Sequence, residues 1–138
     1  MKLLEFFLVT TATSAALFAC NSENVRKNID VELSEWAIKP STVILKAGDV
    51  EFNASNKGSL THEMVVIKTD LDANDFPIED NKVLEEKAGK SIGEIDQSRL
   101  GPGVSSSETF TLSAGKYVLI CNIADHYKNG MYAAFQVK

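Results

Sequence analysis

The segment Cys121-Asn122-Ile123-Ala124-Asp125-His126-Tyr127-Lys128-Asn129-Gly130-Met131 restricts this chain more than any other part of it. It directly follows one β-type run, residues 117–120, and directly precedes another, 132–137. A loop whose two ends are held by strands presents Cys, His and Met to one point. Upstream, Thr61-His62-Glu63-Met64 opens the apolar run 64–67 and offers a fourth donor about sixty residues before Cys121. The inventory sharpens the pattern. The chain has two histidines, two cysteines and three methionines. Both histidines, one cysteine and two methionines fall in these two short segments, Met131 in the loop and Met64 two residues from His62.

Two imidazoles, one thiolate and one thioether form the donor set of a type 1 copper, in which the methionine is a weak, long axial ligand. Thiolate and thioether favour Cu(I), and imidazole suits both oxidation states. Structural zinc is the competing reading. It takes four Cys or His ligands and does not choose Met, and only three such candidates stand here. The expected metal ligands are therefore His62, Cys121, His126 and Met131, around one copper.

Short apolar runs of period two argue for the fold. Ile29, Val31 and Leu33 alternate with Asp30, Glu32 and Ser34. Val43 and Leu45 lead into the turn Lys46-Ala47-Gly48-Asp49, followed by the run 50–54 and a second turn at Asn56-Lys57-Gly58. The continuous apolar run 64–67 suits a strand buried on both faces. Short β-rich runs punctuated by glycine turns predict an all-β sandwich. Residues 70–107 differ, being acidic and rich in Gly and Pro. They are expected to form one long irregular excursion, with a short helix around residues 80–87 closed by Gly89. Their carboxylates read as a solvated loop rather than a catalytic pair, and no enzyme activity is expected.

The first nineteen residues, MKLLEFFLVTTATSAALFA, read as an export signal: one early lysine, an apolar stretch too short and too polar for a good membrane span, and small residues at the end. Leu17-Phe18-Ala19-Cys20 resembles the bacterial lipobox, which implies cleavage before Cys20 and lipidation of its sulfur. Residues 20–28 then form a polar tether and residues 29–138 the domain. A Cys20–Cys121 disulfide is open on parity alone, but each cysteine has a better use. Roughly 119 residues remain after the leader, enough to bury a core without disulfides, and 44% hydrophobic content excludes a disordered chain. A net charge of −5 makes nucleic acid a poor partner, since phosphates call for a basic surface.

At the Cys-x4-His-x4-Met loop the chain resembles the cupredoxin family, among its small bacterial and archaeal blue-copper domains of the rusticyanin-like type. The resemblance takes in residues 36–40, the Lys46–Asp49 turn, His62 at a strand start, and Gly115-Lys116-Tyr117 leading to Cys121. It implies a Greek-key β-sandwich of about eight strands and a single-electron carrier in the cell envelope. Periplasm or cell surface is the expected location, with membrane contact through the lipid on Cys20 only. Redox proteins such as a cytochrome, oxidase or reductase are the expected partners, and a monomer the expected state. The resemblance also implies that the His126 ring edge approaches solvent, ringed by Ala124, Tyr127 and Met131. Two departures stand out. Glu63 replaces the Asn or Ser that follows the first histidine in many relatives. Ile120 replaces the tyrosine that provides a second electron exit in plastocyanin-like members. Copper storage or delivery is the alternative function, disfavoured because the chain has no spare Met or His for exchange. A sandwich that has lost copper is disfavoured by the intact donor set.

Overall fold

Strict alternation builds the first sheet of the computed structural model, which describes residues 27–138. In β1 (Lys27–Ser34), Ile29, Val31 and Leu33 are buried while Asp30 and Glu32 face solvent, the pattern of a strand with one wet face. β4 (Gly48–Asn56) repeats it with Val50, Phe52 and Ala54 inward. β1 runs parallel to β4 and antiparallel to β2 (Ala37–Pro40). β9 (Ser105–Leu112) pairs with the other side of β4, giving the order β2-β1-β4-β9.

The second sheet joins β3 (Ile44–Leu45), β11 (Tyr132–Val137), β10 (Gly115–Ile120), β5 (Met64–Lys68) and β8 (Lys90–Ile95), in that order. Its inner face packs on the first sheet. Phe52 of β4 contacts Phe110 of β9 and crosses the gap to Phe135 of β11, with ring centroids 5.7 and 6.0 Å away. The all-β sandwich expected from the alternation is therefore present. Among the described residues eleven strand segments occur rather than about eight, because β3 and the small hairpin β6 (Ile78–Glu79)–β7 (Lys82–Val83) add pieces of two residues each.

The 70–107 excursion is more ordered than an irregular loop. The helix α1 spans Glu85–Ala88 and ends at Gly89; it is shorter than the 80–87 expectation because 78–83 form the hairpin instead. β8 then adds an edge strand to the second sheet. Nor is the segment wholly solvated. Met64 and Val66 of β5 join the inter-sheet core, while Val65 and Ile67 on its other face pack into a second cluster with Phe76, Val83 and Ala88. The continuous apolar run 64–67 has both its faces covered, one by the sandwich and one by the excursion. Val118, Ile120 and Tyr127 share that second cluster, so the excursion reaches the end of the sandwich where the Cys121 loop lies.

Residues 1–26, and with them the signal, Cys20 and most of the tether, lie outside the described residues. β1 begins at Lys27 and so takes in the last two residues read as tether. Among the described residues no helix is long and apolar enough to cross a membrane.

Candidate metal centre

The loop after β10 is fastened to itself before any metal is considered. The Cys121 N–H donates to the Met131 carbonyl at 3.1 Å, which closes the loop where β10 and β11 part. The His126 N–H donates to the Ile123 carbonyl and the Met131 N–H to the His126 carbonyl, at 3.0 and 3.2 Å. Gly130 sits at φ 114°, a conformation that costs a side-chain-bearing residue steric strain. The excursion adds outside braces. Tyr127 Oη donates to the Ala73 carbonyl at 2.7 Å and accepts the Phe76 N–H at 3.0 Å. The buried Asn122 side chain bonds both the N–H and the carbonyl of Val83, and the Asp125 N–H donates to the Asn81 carbonyl. These contacts answer what the long crossing does: it buttresses the Cys–His loop.

His62 is fixed by a different set. Buried Asn56 donates to the carbonyls of Leu60 and Leu100 and accepts the Gly58 N–H, and the His62 N–H donates to the Leu100 carbonyl at 3.1 Å. The result is convergence. His62 Nδ1 lies 3.2 Å from His126 Nδ1, and Cys121 Sγ lies 3.3 Å from that same nitrogen. The three donor atoms all fall within 4.8 Å of one another, and all three residues are buried. Met131 is fully buried at the end of the same loop.

Burial sets the protonation of the metal-free site. It lowers the affinity of both imidazoles for a proton; for His62 the Glu35 carboxylate opposes this, and for His126 the neighbouring His62 adds to it. Both rings are therefore neutral near pH 7, with lone pairs free. Burial pushes the Cys121 thiol up to about 11, against the pull of the Glu63 and Ile123 N–H groups, so metal entry displaces the thiol proton. The sign of the pH dependence follows. The depressed histidines stabilise the metal-free fold above their ordinary value of 6.5, and that contribution is lost as pH falls below it. The raised thiol stabilises it below the ordinary 9.0, a contribution lost as pH climbs from there to about 11 and worth about 3 kcal/mol at 1.36 kcal/mol per unit. Urea unfolding of the metal-free protein should show greatest stability between about pH 6.5 and 9. A midpoint that keeps rising up to pH 10.5 would contradict this.

The neighbourhood differs from the expected one in a telling way. Tyr127 and Met131 are buried and cannot ring an exposed His126, which is itself only 7% exposed. The side chain that meets His126 at the surface is Trp36, 41% exposed, its ring edge-to-face at 5.2 Å. Trp36 and its neighbour Glu35 lie in the turn between β1 and β2, far in sequence from the loop they touch. Glu63 is half-buried rather than solvent-facing; burial and the nearby Glu94 raise its carboxyl, and the Asn122 N–H partly offsets them. Its own N–H points to Cys121 Sγ at 3.4 Å.

A two-sheet sandwich that gathers His, Cys and His at one end defines a cupredoxin, the blue-copper class. Within that class, the chain matches the family model described as the Sulfocyanin (SoxE) domain over residues 7–138, and it belongs to that family. The fold is shared with solved structures at low identity. Dithionite-reduced auracyanin from the photosynthetic bacterium Roseiflexus castenholzii is 21% identical, with TM-score 0.59, covering 81% of this chain and 97% of that one. Auracyanin B is 22% identical with TM-score 0.58, covering 81% and 88%. Rusticyanin from Thiobacillus ferrooxidans is 16% identical with TM-score 0.56, covering 81% and 78%. No curated protein matches the chain.

Cupredoxins transfer electrons, and the cofactor of the class is one type 1 copper. The donor set fits it. A metal–imidazole bond is about 2.0 Å, so two imidazole nitrogens 3.2 Å apart could both reach one ion. A thiolate with two imidazoles suits copper, and burial of all three donors would keep water from an ion held there.

Proposed function

We propose that this protein is a one-electron carrier of the cell envelope, in which His62 Nδ1, His126 Nδ1 and Cys121 Sγ, with the Met131 thioether as fourth donor, would hold copper. The observation that carries the reading is the meeting of two neutral, buried imidazole Nδ1 atoms with one buried thiol. Copper supplies the Cu(II)/Cu(I) couple. The protein keeps the donors still during it: hydrogen bonds close the loop at Cys121 and Met131, and Tyr127 and Asn122 tie its middle to the excursion. Copper delivery needs exchangeable donors near the surface, and the burial of these three argues against it.

Trp36 supplies the contact through which the electron leaves. Its indole lies against His126, and Leu60, also exposed, is joined to the same turn by its N–H bond to Glu35. An exposed indole and an exposed leucine held to the same turn suit the small, brief interfaces of redox partners. The partner is a redox protein such as a cytochrome, oxidase or reductase. The chain reaches it as a monomer, tethered by a lipid on Cys20 after removal of residues 1–19.

The test uses the full-length protein purified in detergent. Cu(II) should produce an intense thiolate-to-copper absorption and reversible voltammetry; a colourless protein would sink the type 1 reading. Trp36→Ala should keep the colour but slow electron self-exchange, followed by NMR line broadening, by roughly fivefold, equivalent to about 1 kcal/mol of docking contact. An unchanged exchange rate would remove Trp36 from the route. Mass spectrometry of the protein from its host should find the diacylglyceryl mass on Cys20, and an unmodified N-terminus elsewhere would refute the anchor.

A further inference from the structure

A ring that gives its Nδ1 lone pair to a metal carries its proton on Nε2, and the group that receives that proton fixes the ring's tautomer and orientation. His62 Nε2 is buried and has no hydrogen-bond partner among the described residues. The acceptor facing it is Glu35 Oε1, at 3.4 Å. That carboxylate is itself held in place. The same Oε1 accepts the Ser59 N–H at 2.9 Å and the Leu60 N–H at 2.6 Å. Position 58 is glycine, and a Cβ there would run into the carboxylate. Two backbone donors and a cleared space thus aim one anion at the far side of one histidine. Solvation alone does not explain such a cradle, because a surface glutamate is satisfied by water.

We propose that Glu35 is the positioning residue for His62: its carboxylate holds the Nε2–H, turns Nδ1 toward the copper, and by its charge favours Cu(II) over Cu(I). The inference rests on His62 being a copper ligand. At 3.4 Å the contact is a charge–dipole attraction rather than a short hydrogen bond, so the charge itself matters and not only the acceptor. Glu35 does not touch the copper. It acts through the ring, which it makes a stronger donor to the more highly charged oxidation state.

Glu35→Gln separates the two contributions. The amide oxygen still accepts from Ser59 and Leu60, so the turn stays folded, but the charge is gone. In the full-length, copper-loaded protein, Cu(II) affinity should fall about tenfold with Cu(I) affinity unchanged, at the low end of the effect of such outer partners. Voltammetry should then show a potential higher by about 59 mV, that tenfold change for a one-electron couple. Glu35→Ala should shift it at least as far. Gly58→Ala, which leaves the glutamate in the chain but displaces its carboxylate, should shift the potential in the same direction. A blue Glu35→Gln protein with the wild-type potential and Cu(II) affinity would overturn the proposal, as would a lowered potential. A wild-type protein that forms no blue centre would instead overturn the ligand reading on which it rests.

Discussion

Cys121→Ser should abolish the blue centre while leaving the fold intact. The thiolate is the source of the intense absorption, and a serine hydroxyl at the same place neither ionises readily nor bonds copper covalently. Four-ligand thiolate and imidazole sites of zinc fingers bind their metal with about 10–16 kcal/mol, so by that scale one ligand carries about 3 kcal/mol and its loss lowers affinity on the order of a hundredfold. The substitution is nearly isosteric at a fully buried position. Its polar neighbours include the Glu63 N–H at 3.4 Å and His126 Nδ1 at 3.3 Å, which a hydroxyl can also meet. Far-UV circular dichroism should therefore be unchanged while a copper titration followed by visible absorption stays flat. A variant that keeps the intense band would show that Cys121 is not the donor.

What the chain discloses before folding is uneven, for physical reasons. The alternation Ile29, Val31, Leu33 and the unbroken run 64–67 are local patterns, and each declares which faces of its strand are covered. The Cys121–Met131 loop is local too, so three donor types at fixed spacing announce a common target. His62 is legible because histidine is scarce in this sequence. Glu35 and Trp36 are not legible as parts of the site. They precede His62 by more than twenty residues and belong to no ligand motif; only the β1–β2 turn carries them to the metal end. The signal available was the chain's single tryptophan beside a strand end, where a large ring without a core position needs another reason to be. Residues 70–107 misled in the opposite sense. Acidic composition suggests a solvated loop, yet Phe76, Val83 and Ala88 are enough to seat it on β5 and β10.

That division of labour bears on the surroundings of the ion. Asn122 and Tyr127 lie inside the loop that bears the donors, yet their partners, Val83, Ala73 and Phe76, belong to the excursion. His126 is held by its loop, which the excursion braces from outside, and His62 by the Leu100 carbonyl, itself fixed by Asn56. Donors braced in this way need little rearrangement as an ion they hold changes charge.

The same bracing predicts the outcome of damaging the sandwich core. Phe52 is fully buried on β4 and packs on Phe110 within its own sheet and on Phe135 across the gap. Phe52→Ala removes both aromatic contacts and leaves a void between sheets that the paired backbones of β1, β4 and β9 resist closing. Substitutions of this kind cost about 3–5 kcal/mol, a large part of the roughly 5–15 kcal/mol that holds a domain of this size. The metal-free variant should therefore unfold at much lower urea concentration than the metal-free wild type. Copper binds the folded state and adds stability by mass action, so loading should restore much of the lost resistance. Cys121 and Met131 share the core cluster with Phe52, but the four proposed ligands lie on loops at the end of the sandwich whose course is set by hydrogen bonds from Asn56, Asn122 and Tyr127. The absorption maximum of the loaded variant should match the wild type even though its metal-free form is marginal. A shifted maximum with little loss of stability would mean that the core shapes the copper geometry directly, and that the braces around the loop are not sufficient to hold it.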